Sequence, residues 1–156
     1  MQTIHQLLDE YGESHRNRTN KLLHWICVPA IFWSLVALAW AIPFPGNFAV
    51  LSVPVNWAVI LMVLLQIYYF RLSVPLALGF MVINFAMLML TAYAASVSPW
   101  PLWLLAAAVF IIAWIGQFIG HMVEGKRPSF FKDLQFLLIG PAWLLGAVFR
   151  SVGLKY

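Results

Sequence analysis

The stretch Trp25-Ile26-Cys27-Val28-Pro29-Ala30-Ile31-Phe32-Trp33-Ser34-Leu35-Val36-Ala37-Leu38-Ala39-Trp40-Ala41-Ile42 holds no charged side chain, and its reading decides the fold class. As a helix it is apolar on every side, and its length is close to the roughly 20 residues that cross a bilayer's hydrocarbon. The same character continues outward. From Lys21 to Arg71 the only charged or histidine side chain is His24, and from Arg71 to Glu124 it is His121. Each interval is long enough to cross a bilayer twice. Pro43-Phe44-Pro45-Gly46-Asn47 and Ser96-Val97-Ser98-Pro99-Trp100-Pro101 interrupt them, because proline removes a helical donor and clashes with the preceding turn. The punctuation predicts four spans: Trp25 to Ile42, Val53 to Phe70, Val74 to Ala95 and Leu102 to Met122. The second and third form a tight hairpin at Arg71.

Composition supports this reading. The chain has 156 residues, of which 63% are hydrophobic and 9% charged, and its mean hydropathy is +0.89. Soluble domains carry roughly 25% charged residues. The expected fold is all-α: one multi-pass membrane bundle over 1–156, with a polar cytoplasmic segment at 1–24, four spans within 25–123, and a cytoplasmic tail at 124–156. No length remains for a separate soluble catalytic domain. The single cysteine, Cys27, excludes an intrachain disulfide. The net charge of +4 is scattered among apolar segments, not gathered in a stripe, so nucleic acid is not an expected partner. The first 24 residues are polar and mixed in charge, unlike a cleavable signal peptide.

With four crossings, Arg16, Arg18, Lys21, Arg71, Lys126, Arg127 and Lys132 fall on one side, which the positive-inside rule makes cytoplasmic. Both termini are then cytoplasmic, in a bacterial inner membrane or, for a eukaryotic chain, the endoplasmic reticulum. The apolar run Leu134 to Phe149 is short and interrupted by Gly140-Pro141, so it is expected as a re-entrant or interfacial hairpin.

The chemistry-bearing residues gather at that same face. On a helical reading His5 and Asp9, and Tyr11 and His15, are one turn apart, while Asn17, Asn20 and His24 share a face. His15 and His24 are nine positions apart and point apart on one straight helix. A common ligand requires a bend, for which Ser14 or Asn17 supplies an N-cap. Downstream, Gln117, His121 and Glu124 follow i, i+4 and i+7 on one face. Ionisable groups so near the hydrocarbon are costly, and a metal held by imidazoles and a carboxylate explains them. Plainer readings stand beside this one. His24 next to Trp25 also fits an interfacial histidine, Glu124 also fits a loop charge paired with Lys126 or Arg127, and Gly116 and Gly120 fit close helix packing.

Tyr11-Gly12-Glu13-Ser14-His15-Arg16-Asn17 with Asn20, His24 and Pro29, then Gln117-Phe118-Ile119-Gly120-His121 with Glu124 and Pro128, resembles the 2-hydroxy-fatty-acid dioxygenases of fungal phytosphingosine breakdown and their bacterial relatives. The resemblance covers nearly the whole chain. It implies Fe(II)-dependent α-oxidation, in which O2 converts a long-chain 2-hydroxy fatty acid to the acid one carbon shorter. It also implies that His15, His24 and His121 are the essential histidines and iron ligands, with Glu124 a further candidate ligand. Asn17, Asn20 and Gln117 are expected to orient imidazoles, and Arg16 and Arg127 to attract the substrate carboxylate. One departure is Cys27, where the family pattern commonly has glycine.

Other classes remain at this level. A small transporter needs polar groups along its path, and the spans offer little beyond Asn56, Gln66, Asn84 and Thr91. A haem-binding anchor uses histidines as facing axial pairs. A non-catalytic membrane protein leaves the histidines without a purpose.

Overall fold

Helix boundaries in the structure follow the capping chemistry of the chain. A computed structural model describes residues 4–13, 15–46, 49–50, 53–125 and 130–156. Lys126, Arg127 and Pro128 lie outside them, as do the side chains of His5 and of residues 130–137. The elements are α1 (Ile4–Glu13), α2 (Arg18–Ala41), β1 (Ala49–Val50), β2 (Val53–Pro54), α3 (Trp57–Leu72), α4 (Val74–Val97), α5 (Leu102–Glu124) and α6 (Phe130–Ser151). The fold is helical, and β1 and β2 form only a two-residue antiparallel ladder in the α2–α3 connection.

Asn17 caps α2, its side chain accepting from the backbone N–H groups of Thr19 and Asn20. Asn56 caps α3 through Val59 N. Ser73 closes α3 and opens α4, its N–H donating to Tyr69 O and its side chain accepting from Leu76 N. One residue thus makes the expected tight hairpin. Gly125 ends α5 at φ 72°, a left-handed conformation that favours glycine, and its N–H donates to the His121 and Met122 carbonyls.

Helices α2, α4 and α5 are long and apolar enough to cross a membrane. The expected second span is shorter than the sequence suggests. Its first residues enter β2 and the Asn56 cap, leaving α3 with 16 residues, about 24 Å at 1.5 Å per residue. The C-terminal segment also differs from expectation, because α6 continues through Gly140-Pro141 as one helix and not a hairpin. A proline removes one helical hydrogen bond without forcing reversal, and packing holds the helix on both sides of it. Ile139 and Ala142 are fully buried, and the buried Tyr69 donates its hydroxyl to Leu138 O at 2.8 Å.

The core is built on α2, α3, α4 and α6, with Tyr69 stacked on Phe80 at 3.6 Å between centroids. The short helix α1 seals one end with Ile4, Leu7, Leu8 and Tyr11, an i, i+3, i+4, i+7 stripe against α6. Helix α5 packs chiefly on α2. Its buried positions are small or polar (Ala106, Ala113, Gln117, Gly120), whereas Ile111, Ile112, Ile115 and Met122 are exposed. Large apolar residues outward and small ones inward is the pattern expected of a helix solvated by hydrocarbon.

Candidate metal centre

The α2–α5 seam brings the two histidine motifs together. A Cβ added to Gly120 would lie 2.4 Å from Asn20 Oδ1, and one added to Gly116 would lie 2.6 Å from Cys27 Sγ. Only glycine permits so close an approach, as the small-xxx-small spacing suggested. The contacts run antiparallel, so the start of α2 meets the end of α5. Cys27 fills the space facing Gly116.

His24 therefore stands near His121, their ring centroids 5.1 Å apart and their planes nearly perpendicular. His15 reaches them because the chain breaks between α1 and α2. The residues from His15 to Asn17 turn the corner, Asn17 starts the new helix, and the opposed directions of one straight helix no longer apply. The coordinating atoms of His15, His24 and His121 all lie within 4.8 Å of one another. His15 and His24 are 3% and 2% exposed.

Tautomers follow from the partners. His15 Nδ1 lies 2.6 Å from Tyr11 O, and His24 Nδ1 lies 3.0 Å from Asn20 O. A carbonyl oxygen only accepts, so each Nδ1 carries a proton, and each ring when neutral presents an Nε2 lone pair. Those two Nε2 atoms are 2.8 Å apart. Two lone pairs face each other in a buried pocket, an arrangement that repels unless a cation is shared between them. Anchoring of the distal ring nitrogen by a carbonyl is also the usual support of a metal-bound histidine. The donor set fits a metal ion on these grounds, and three neutral imidazoles suit iron, zinc, copper or nickel.

Glu124 is engaged elsewhere. Its Oε1 accepts from the backbone N–H of Arg16 at 2.9 Å and of Asn17 at 3.1 Å. Its Oε2 accepts from Asn17 N at 2.9 Å and from Asn20 Nδ2 at 3.0 Å. The carboxylate ties the end of α5 to the start of α2, where the helix dipole favours an anion, and so fixes the corner that positions His15. Asn20 supports the site through its carbonyl on His24 and its amide on Glu124, and Asn17 through its cap. Gln117 is buried at 6% exposure beside the cluster, yet its carbonyl oxygen has no hydrogen-bond partner. The expected contact between Gln117 and an imidazole is not made.

Aromatic rings close the far side. Tyr11 stacks on His15 at 4.2 Å, and Trp143 of α6 lies 5.5 Å from His15 and 5.6 Å from Tyr11. Trp143 reads as an interfacial belt residue in the sequence, and only the course of α6 shows that it walls the site. A cleft of about 400 Å³ opens beside that wall, lined by Leu8, Asp9, Gly12, Arg16, Trp143 and Arg150. Arg150 was not anticipated, because nothing in its spacing links it to residues near the N-terminus. It contacts the Tyr156 hydroxyl and lies over that ring.

A family model described as "2-hydroxy-palmitic acid dioxygenase Mpo1-like" matches residues 1–152. The chain belongs to the Mpo1-like family. The match takes in both histidine motifs and all six helices of this Mpo1-like chain, so the resemblance read from its motifs holds. No curated protein and no solved structure matches the chain.

Proposed function

We propose that this Mpo1-like chain is a membrane-embedded dioxygenase that converts a long-chain 2-hydroxy fatty acid to the acid one carbon shorter, using Fe(II) held by His15, His24 and His121. The observation that carries the reading is the pair of buried Nε2 atoms 2.8 Å apart, each ring anchored through Nδ1 to a carbonyl, beside a third histidine in a chain of this family. Bound there by His15, His24 and His121, Fe(II) would supply O2 activation and positive charge for the substrate's head group.

The chain's own residues perform the rest. Tyr11 O and Asn20 O hold the proximal rings in one tautomer and orientation. Glu124 pins the α1–α2 corner, so His15 keeps its place without spending a carboxylate on the metal. Tyr11 and Trp143 exclude water from the buried side and lower the local dielectric, which strengthens each polar interaction inside. Arg16 and Arg150 place positive charge in the adjoining cleft and draw a carboxylate headgroup toward the site. The apolar outer faces of α4 and α5 offer the acyl tail a hydrocarbon environment continuous with the membrane. Acid and O2 give chain-shortened acid, CO2 and water, so atoms and electrons balance without a co-reductant.

The same geometry disfavours haem, since Nε2 atoms 2.8 Å apart leave no room for a porphyrin plane between them. It also disfavours transport, since Gln66 and Asn84, two of the few polar groups in the spans, are bonded to each other between α3 and α4. The test is product analysis on purified protein supplied with Fe(II), O2 and 2-hydroxypalmitic acid. Formation of the acid one carbon shorter together with CO2 is expected. An unchanged substrate, with iron bound, would refute the assigned reaction.

A further inference from the structure

The buried side-chain carbonyl of Gln117 has no hydrogen-bond partner. A buried acceptor left without a donor loses its hydration and gains nothing in exchange, so such groups in a folded protein ask for a ligand or a function. Gln117 sits in the α2–α5 seam one turn from His121. Asn20 against Gly120 marks one level of that seam and Cys27 against Gly116 another. His24 and Gln117 lie between these two levels, on opposite sides of the seam.

Three neighbouring groups have donors committed elsewhere. The Nδ1 protons of His15 and His24 go to Tyr11 O and Asn20 O, and Asn20 Nδ2 goes to Glu124. Trp114, three residues earlier on α5, has a buried ring N–H without an acceptor, but its ring packs in the row of Phe110 and Phe118. A ligand with a hydroxyl group supplies the donor that Gln117 Oε1 lacks. A 2-hydroxy acid differs from an ordinary fatty acid by one O–H group, next to the carboxylate that would enter this site.

We propose that Gln117 is the specificity residue for the 2-hydroxyl group: its side-chain carbonyl accepts the hydroxyl proton, and an acid lacking that O–H leaves the carbonyl buried and unpaired. Sites built to hydrogen-bond a substrate hydroxyl reject the analogue lacking it far more strongly than apolar pockets reject a missing methylene. The hydroxyl oxygen keeps its lone pairs while its proton is held by Gln117. This inference rests on the dioxygenase reading and adds to it the origin of substrate choice.

The experiment measures binding without oxygen, so that no turnover intervenes. Full-length Fe(II)-loaded protein in detergent is titrated with 2-hydroxypalmitic acid and with palmitic acid, for wild type, Gln117→Leu and Trp114→Phe. Wild type and Trp114→Phe are expected to prefer the hydroxy acid by about tenfold or more, the scale of a buried hydrogen bond. Gln117→Leu is expected to lose about tenfold of that preference, with iron content unchanged and thermal stability not lowered, since the substitution removes an unpaired polar group. Gln117→Met, closer in shape, serves if the leucine variant fails to fold. An undiminished preference without Gln117, a loss of affinity for both acids alike, or a preference lost in Trp114→Phe overturns the inference while leaving the dioxygenase reading intact. Failure of the wild type to bind either acid overturns both.

Discussion

The Nε2 atoms of His15 and His24 face each other across 2.8 Å, each ring anchored through Nδ1 to a main-chain carbonyl. With both rings neutral and anchored, neither Nε2 has a proton to offer the other, so the pair calls for a shared cation. A metal that binds only the folded state relieves this opposition and stabilises the fold by mass action, by about 2.7 kcal/mol at a free metal concentration 100 times Kd. Thermal unfolding in detergent with Fe(II), and again with excess chelator, is expected to show a higher Tm with metal. His15→Ala and His24→Ala are expected to abolish the difference.

Glu124 distinguishes ligation from support. Its two oxygens are held by Arg16 N, Asn17 N and Asn20 Nδ2, so Glu124→Gln is expected to lower metal affinity by about 10- to 100-fold, the usual effect of losing a group that orients a ligand. Stoichiometry at saturating metal is expected to stay the same. Equilibrium metal titration checks this. Complete loss of binding, as in a histidine variant, would show that the carboxylate is itself a ligand.

Gly120 tests the seam. An added methyl group at Gly120 meets Asn20 Oδ1, part of the group that supports His24 and Glu124, whereas one at Gly116 meets only Cys27 Sγ. Overpacking of this kind typically costs about 1–3 kcal/mol. Both alanine variants are expected to lower Tm, and Gly120→Ala is expected also to weaken metal binding. In the background Cys27→Gly, the Gly116→Ala variant is expected to recover stability, because the smaller residue clears the space.

The cleft arginines act on encounter with substrate. Arg16→Gln and Arg150→Gln are each expected to raise KM for a 2-hydroxy acid by about two- to fivefold at low salt, the scale of one solvent-exposed ion pair of about 0.2–1 kcal/mol. The kcat is expected to change little, and the difference from wild type to shrink as salt screens the charges. Initial rates at two ionic strengths measure both effects.

Much of this was legible in the sequence because the signals are local. Charge-free runs broken by proline marked the long helices, Asn17 was readable as a cap, and the spacing of Gly116 and Gly120 announced a close helix contact. His15, His24 and His121 were brought together on paper by an even number of crossings, and the structure brings them together in fact. What failed to show was non-local. The start of α3 depends on the β1–β2 ladder, and α6 survives Gly140-Pro141 because Tyr69 and the core hold it. Trp143 and Arg150 join the site only through the packing of α6 on α1. Glu124 carried the right spacing for a ligand, but spacing on one helix is silent about the donors waiting at the start of another.

On the proposed function, three histidines hold the metal on which turnover depends. The most direct test is iron content and turnover of 2-hydroxypalmitic acid for wild type, His24→Ala and His121→Ala, purified in parallel and shown to be folded by helical circular dichroism. Wild type is expected to hold about one iron per chain, as a single three-histidine site requires, and to form the acid one carbon shorter, and each variant to lose both iron and product. Folded histidine variants that keep iron and activity, or a folded wild type that binds no metal at all, would contradict it.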